Sequence, residues 1–167
     1  MTLRTFRFSS SGTRRHAGFT LVELITVISI IAIIAAIAMP DLSNVLTDQR
    51  LRASATDLMS SVLVARSEAI KRNAQVEVRP LVAGDWSKGW IVATSTTQEQ
   101  LDKKNPLGPR VQVNLAPASI VYRYNGRLTS TSTAKLEFAD SGAHPVSSRC
   151  LKIDPSGLPK LSLGVCS

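Results

Sequence analysis

Gly18-Phe19-Thr20-Leu21-Val22-Glu23-Leu24 opens an apolar run that ends at Met39-Pro40, and the reading of this stretch decides the rest. Phe19 to Met39 contains 21 residues with no Gly or Pro and a single charge. As a helix it would be roughly 31 Å long, about the thickness of a bilayer core. The run therefore reads as a membrane span. Glu23 lies near its start, and a carboxylate in hydrocarbon costs roughly 2.5 to 3.5 kcal/mol on insertion scales. Such a charge needs a function to account for it. Arg4, Arg7, Arg14 and Arg15 precede the span with no acid beside them, which predicts a cytoplasmic amino terminus and a translocated carboxyl-terminal part.

The chain has 167 residues, 20 basic and 12 acidic, for a formal charge of +8. Four of the basic residues lie before Gly18, so a chain cut there keeps 16 against 12, or +4. Length leaves room for one modest domain after the span. Residues 1–18 are Ser- and Arg-rich without apolar periodicity and read as a leader. An ordinary secretory signal would lose its apolar core, but the cleavage signal here precedes it, so the span is kept. Cys150 and Cys166 then face an oxidising compartment, where two cysteines read as one disulfide.

Gly18 through Glu23 resembles the processing and assembly motif of type IV pilins and type II secretion pseudopilins. The resemblance implies that a membrane prepilin peptidase cuts after Gly18 and methylates the new amino terminus at Phe19. It implies too that Glu23 pairs with the terminal amine of a neighbouring pilin subunit as the helices bundle. Two groups that are each costly in lipid become tolerable when they neutralise one another.

Beyond Pro40, which should kink or loosen the helix rather than end it, Leu51, Ala55, Leu58, Val62, Ala65 and Ala69 step by threes and fours. Asp48, Arg52, Asp57, Arg66, Glu68 and Arg72 take the other side. This is an amphipathic helix with one buried stripe, widened by Met59, Leu63 and Ile70, and Lys71-Arg72-Asn73 carries the signals of its end. After Asn73 short β-branched and aromatic runs alternate with turns at Ala83-Gly84-Asp85, Asn105 to Pro109 and Asn125-Gly126. Thr94 to Lys104 and Ser130 to Thr133 read as exposed loops. Cys150 to Ile153 and Lys160 to Leu163 alternate around Asp154-Pro155-Ser156-Gly157, a turn with Pro second and Gly fourth, which predicts a hairpin tied at its base by the two cysteines. The expected fold is α+β of the type IV pilin-like kind, a long N-terminal helix packed on a mostly antiparallel sheet. Its parts are a cleaved leader 1–18, a transmembrane half 19–39, an amphipathic half 40–74 and a β-rich head 75–167.

Ser60 to Arg72 with its Ala65-Arg66-Ser67-Glu68-Ala69 core, Gly89-Trp90, Arg149-Cys150-Leu151 and Ser156-Gly157 resemble the GspH/FimT group of minor pseudopilins and minor pilins. The paired cysteines and short head look more like its FimT/FimU pilins than its GspH-like secretion pseudopilins. The resemblance implies a minor pilin that enters or primes a type IV pilus from the bacterial inner membrane, with its carboxyl-terminal domain in the periplasm. FimT-type pilins are associated with DNA capture in natural transformation, which makes double-stranded DNA a second candidate partner. From Arg110 onward seven basic residues face three acids, against nine and eight over residues 41–109. Arg123, Arg127, Arg149, Lys152 and Lys160 are the candidate phosphate contacts. Gly157-Leu158-Pro159-Lys160 departs from the Gly-Arg-x-Arg pattern of the DNA-binding members, so forked arginine contacts are missing there.

No cofactor is expected and the chain does not read as an enzyme. His16 lies in the leader and His144 beside Pro145 in a loop. Asp140, Ser141 and His144 are too close in sequence to converge as a nucleophilic set. Trp86 and Trp90 read as core residues.

Overall fold

The computed structural model describes residues 19–143 and 145–167, without the side chains of residues 37–42. The expected leader, with Gly18, and His144 lie outside the described residues. Two compact units divide at Met39 and Pro40.

Among the described residues there is one helix, α1, which runs Leu21–Arg72. In the first unit every large apolar side chain from Phe19 to Ile34 is exposed, from 44% at Val27 to 78% at Phe19. Among the described residues no helix is long and apolar enough to cross a membrane. The described side chains of the apolar run stop at Ala36, and residues 21–36 reach roughly 24 Å as a helix. The rest of the expected span, and Pro40, fall among the residues whose side chains are not described.

The second unit is built on the carboxyl-terminal part of α1. Leu51, Ala55, Leu58, Val62, Ala65 and Ala69 are all fully buried, the whole of the expected stripe. Met59 packs against this core, but Leu63 and Ile70 do not widen it, being 43% and 53% exposed. At about 100° per residue they sit 100° or more from the centre of the stripe, outside the arc a single sheet layer can cover. The helix ends with Asn73 at a φ of 49°, Ala74 N–H on the Ala69 carbonyl (3.2 Å) and Asn73 N–H on that of Ile70 (3.3 Å). These paired bonds satisfy carbonyls that would otherwise be left open at the helix end.

Among the described residues eight antiparallel strands follow: β1 Val76–Val82, β2 Asp85–Thr94, β3 Gln100–Lys104, β4 Val111–Val113, β5 Ile120–Tyr122, β6 Ala134–Asp140, β7 Arg149–Ile153 and β8 Pro159–Leu163. They form two four-stranded sheets, β3-β2-β1-β5 and β4-β6-β7-β8, rather than one. Gln100–Lys104, expected in a loop, is an edge strand. Its Asp102, Lys103 and Lys104 give it no apolar alternation, and charged side chains are a usual way to guard an edge. Both sheets contribute to the buried core, with Trp86, Trp90, Val76, Val78 and Tyr122 from the first and Leu136, Phe138, Leu151 and Ile153 from the second. Trp90 Nε1 donates to Ser61 Oγ (3.0 Å), which donates to Asp102 Oδ2 (3.3 Å), so the buried indole and hydroxyl between helix and sheet are both satisfied.

Candidate functional site

Two regions carry the residues singled out by sequence. At the start of α1, Thr20 precedes the first turn and its Oγ1 accepts the Glu23 N–H at 3.2 Å, while Leu24 N–H reaches the Thr20 carbonyl at 3.1 Å. Thr20-x-x-Glu23 is the pattern of a helix capping box, a signal present in the sequence but overlooked beside the membrane reading. Glu23 and Phe19 both stand exposed at this end.

The second region is the sheet β4-β6-β7-β8. The Asp154 to Gly157 turn closes the hairpin with Gly157 N–H on the Asp154 carbonyl at 2.7 Å. Gly157 has a φ of +84°, and a Cβ there would lie 2.1 Å from the Gly126 carbonyl oxygen. Tyr122 Oη donates to the Gly157 carbonyl at 3.1 Å. Burial pushes the Tyr122 phenol well above its usual range, so it stays a donor.

Register then places Lys152 directly opposite Lys160 on β8 and opposite Lys135 on β6. Directly paired residues share a face, so three lysines form a row across three strands at roughly 4.8 Å per strand. None of the ion pairs among the described residues involves them. Lys135 was not among the sequence candidates. The alternation of Leu136 and Phe138 marks β6, but the register that aligns Lys135 with Lys152 is a tertiary property.

The adjoining row on the same face is Glu137, Cys150 and Ser162. Cys150 and Cys166 form a disulfide with Cα atoms 5.2 Å apart. Cys150 faces Ser162, so the bridge does not tie the base of the hairpin; it folds the tail after β8 back across β7. Cys166 N–H then donates to Glu137 Oε2 at 3.0 Å. The acid nearest the lysine row is thereby held by the tail.

Arg149 belongs to the other face. It alternates with Cys150 and Lys152 along β7, and its Nη2 donates to Asp48 Oδ1 of α1 at 2.5 Å. Arg123 and Arg127 are exposed on the turn after β5, where Leu128 N–H meets the Pro155 carbonyl at 3.1 Å. The five candidates thus divide among one face, the other face and a turn.

Asp140 is fully buried and engaged by four donors: Arg110 Nε (3.0 Å) and Nη2 (2.7 Å), Gly142 N–H (2.9 Å) and Val146 N–H (3.2 Å). That organises a loop and leaves the carboxylate no free acceptor capacity for catalysis.

The family described as type II transport protein GspH matches residues 54–157, and the prokaryotic N-terminal methylation motif matches residues 13–39. No curated protein shows significant similarity to the chain. Among solved structures, the type IV minor pilin FimU of Pseudomonas aeruginosa is similar at 19% identity and a TM-score of 0.59, over 71% of this chain and 91% of that one. The minor pseudopilin EpsH of the Vibrio cholerae type 2 secretion system is similar at 17% identity and a TM-score of 0.52, over 68% and 97%. Both likenesses are of fold.

Proposed function

Since the chain belongs to the GspH family, we propose that this minor pilin or pseudopilin acts in a type IV pilus, incorporated into or priming the filament. The observation that carries the reading is the described apolar part of α1, residues 21–36, exposed on every side and bearing one carboxylate, Glu23, beside its amino-terminal cap. Such a surface has to be covered by lipid or by the helices of other subunits. In the proposed sequence of events, prepilin peptidase cuts after Gly18 and methylates Phe19 at the bacterial inner membrane. Residues 19–39 hold the chain there in a single pass with the head in the periplasm, and Glu23 pairs with a neighbouring subunit's terminal amine during assembly. No catalytic step is assigned to the head. Glu23→Ala should lower incorporation into sheared filaments by more than about tenfold and leave the circular dichroism of the head unchanged. Undiminished incorporation would sink the pairing role. A GspH-like place in a type II secretion system would be recognised by co-purification with pseudopilins instead of pilins.

A second reading, DNA binding in support of natural transformation, is favoured by the lysine row. Three like charges in register repel one another unless an anion lies over them, and the tail holds Glu137 aside. Lysines would grip phosphates as point charges without reading sequence. The test is a salt series of duplex DNA binding by the oxidised chain. Three phosphate contacts require a log–log slope of roughly −3, and it should collapse when Lys135, Lys152 and Lys160 are changed to Glu. Absence of binding at low salt removes this reading and leaves assembly untouched.

A further inference from the structure

Among the described residues strand β8 has a neighbour on one side only. Gly164 N–H bonds the Ser148 carbonyl (2.7 Å) and Asp154 N–H the Leu158 carbonyl (3.2 Å), which fixes the phase of the β7–β8 ladder. With Cys150 opposite Ser162 and Lys152 opposite Lys160, residues 160 and 162 bond inward to β7. The N–H and C=O groups of Leu161 and Leu163 therefore point outward, along an edge that no other strand among the described residues covers. Pro159, the preceding member of that set, has no N–H to offer.

A cavity of about 250 Å³ opens beside those two residues, lined by Arg52, Arg149, Leu161, Ser162 and Leu163. Arg149 gives Nη2 to Asp48, but its Nε is buried and has no acceptor. Arg52 is exposed and belongs to none of the ion pairs among the described residues. A buried guanidinium N–H without an acceptor beside a second, unpaired guanidinium is an incomplete anion site. Its natural complement is a carboxylate, which can accept from both forks. The cavity also abuts an open backbone edge whose Leu163 side chain is 65% exposed, an arrangement that a free ion would leave unused.

We propose that the β8 edge with Arg52 and Arg149 is a docking site for an extended segment of a partner protein, which adds a strand beside Leu161 and Leu163 and places an acidic side chain between the two arginines. Main-chain hydrogen bonds to the edge would supply affinity, and the carboxylate would set the register of the added strand. This site lies on the opposite face of the sheet from the lysine row and does not depend on the nucleic-acid reading.

The probe is the peptide acetyl-Val-Thr-Val-Glu-Val-Thr-amide, titrated into the ¹⁵N-labelled full chain in detergent micelles. Shifts should concentrate at the backbone amides of Leu161 and Leu163 and at the Arg149 Nε–H. The Gln-for-Glu peptide, and the Arg52→Gln protein with the Glu peptide, should each bind about tenfold more weakly. Leu163→Pro, which deletes an outward N–H and no ladder bond to β7, should weaken binding likewise. Equal binding of the Glu and Gln peptides, shifts at another edge, or no shift at millimolar peptide would overturn the proposal. So would acetate moving the Arg149 Nε–H while the peptide leaves Leu161 and Leu163 unmoved, since that describes an ion pocket without strand addition.

Discussion

Asp140 has Arg110 on one side and the backbone of Gly142 and Val146 on the other. Burial alone would push its carboxyl up, but the Arg110 guanidinium and the two backbone N–H groups outweigh it and hold the group below the usual carboxylate range. A carboxyl lowered in the folded state contributes stability that is fully present above the unfolded value of about 3.9 and is lost as pH falls through the folded value. Urea titrations should therefore show Asp140→Asn less stable by on the order of 2 to 3 kcal/mol at pH 7. Its stability should also fall less than that of the wild type below about pH 4. Gly157 makes a second prediction at this scale. A methyl group there meets the Gly126 carbonyl and the Tyr122 ring and adds strain at a φ of +84°, so Gly157→Ala should cost more than about 1 kcal/mol in the same titration.

At the scale of elements, the two faces of α1 should respond unequally. Leu58 is fully buried and Leu63 is 43% exposed, so Leu58→Ala should cost about 3 kcal/mol and Leu63→Ala less than about 1, read as shifts in the denaturation midpoint. The buried stripe was legible in the sequence because a helix meeting one layer writes its burial at a fixed period. The β7–β8 hairpin was legible because Pro155 and Gly157 mark its turn. Strand β3 was not, since an edge strand that guards itself with Asp102, Lys103 and Lys104 carries the composition of a loop. The lysine row was half legible. Lys152 and Lys160 follow from the hairpin, but Lys135 joins them only through pairing with a strand more than ten residues away, which no local pattern encodes. Arg149 was grouped with its sequence neighbours, whereas strand alternation turns it to the other face.

At the scale of the molecule, the stripe of α1, both sheets and the disulfide all lie within Pro40–Ser167. A fragment beginning at residue 43 should therefore unfold in one cooperative transition with the midpoint of the full chain, and a broad or split transition would contradict that. Replacing Cys150 and Cys166 by Ser should lower its stability by about 3 kcal/mol, the cost of opening a loop of this length, measurable in the same titration. The freed tail should also release Glu137, which amide exchange at Cys166 or its replacement would report.

The Thr20 cap fixes the helix ahead of any cut. A chain severed before Phe19 would present its new amine one residue from a closed turn, with its Cα about 3.8 Å from that of Thr20. Such an amine has an address but almost no reach. If Glu23 pairs with a neighbour's amine as proposed, the search that brings the two together has to be made by whole subunits sliding past one another, and the length of the stub before the cap would act as a ruler for where that sliding stops.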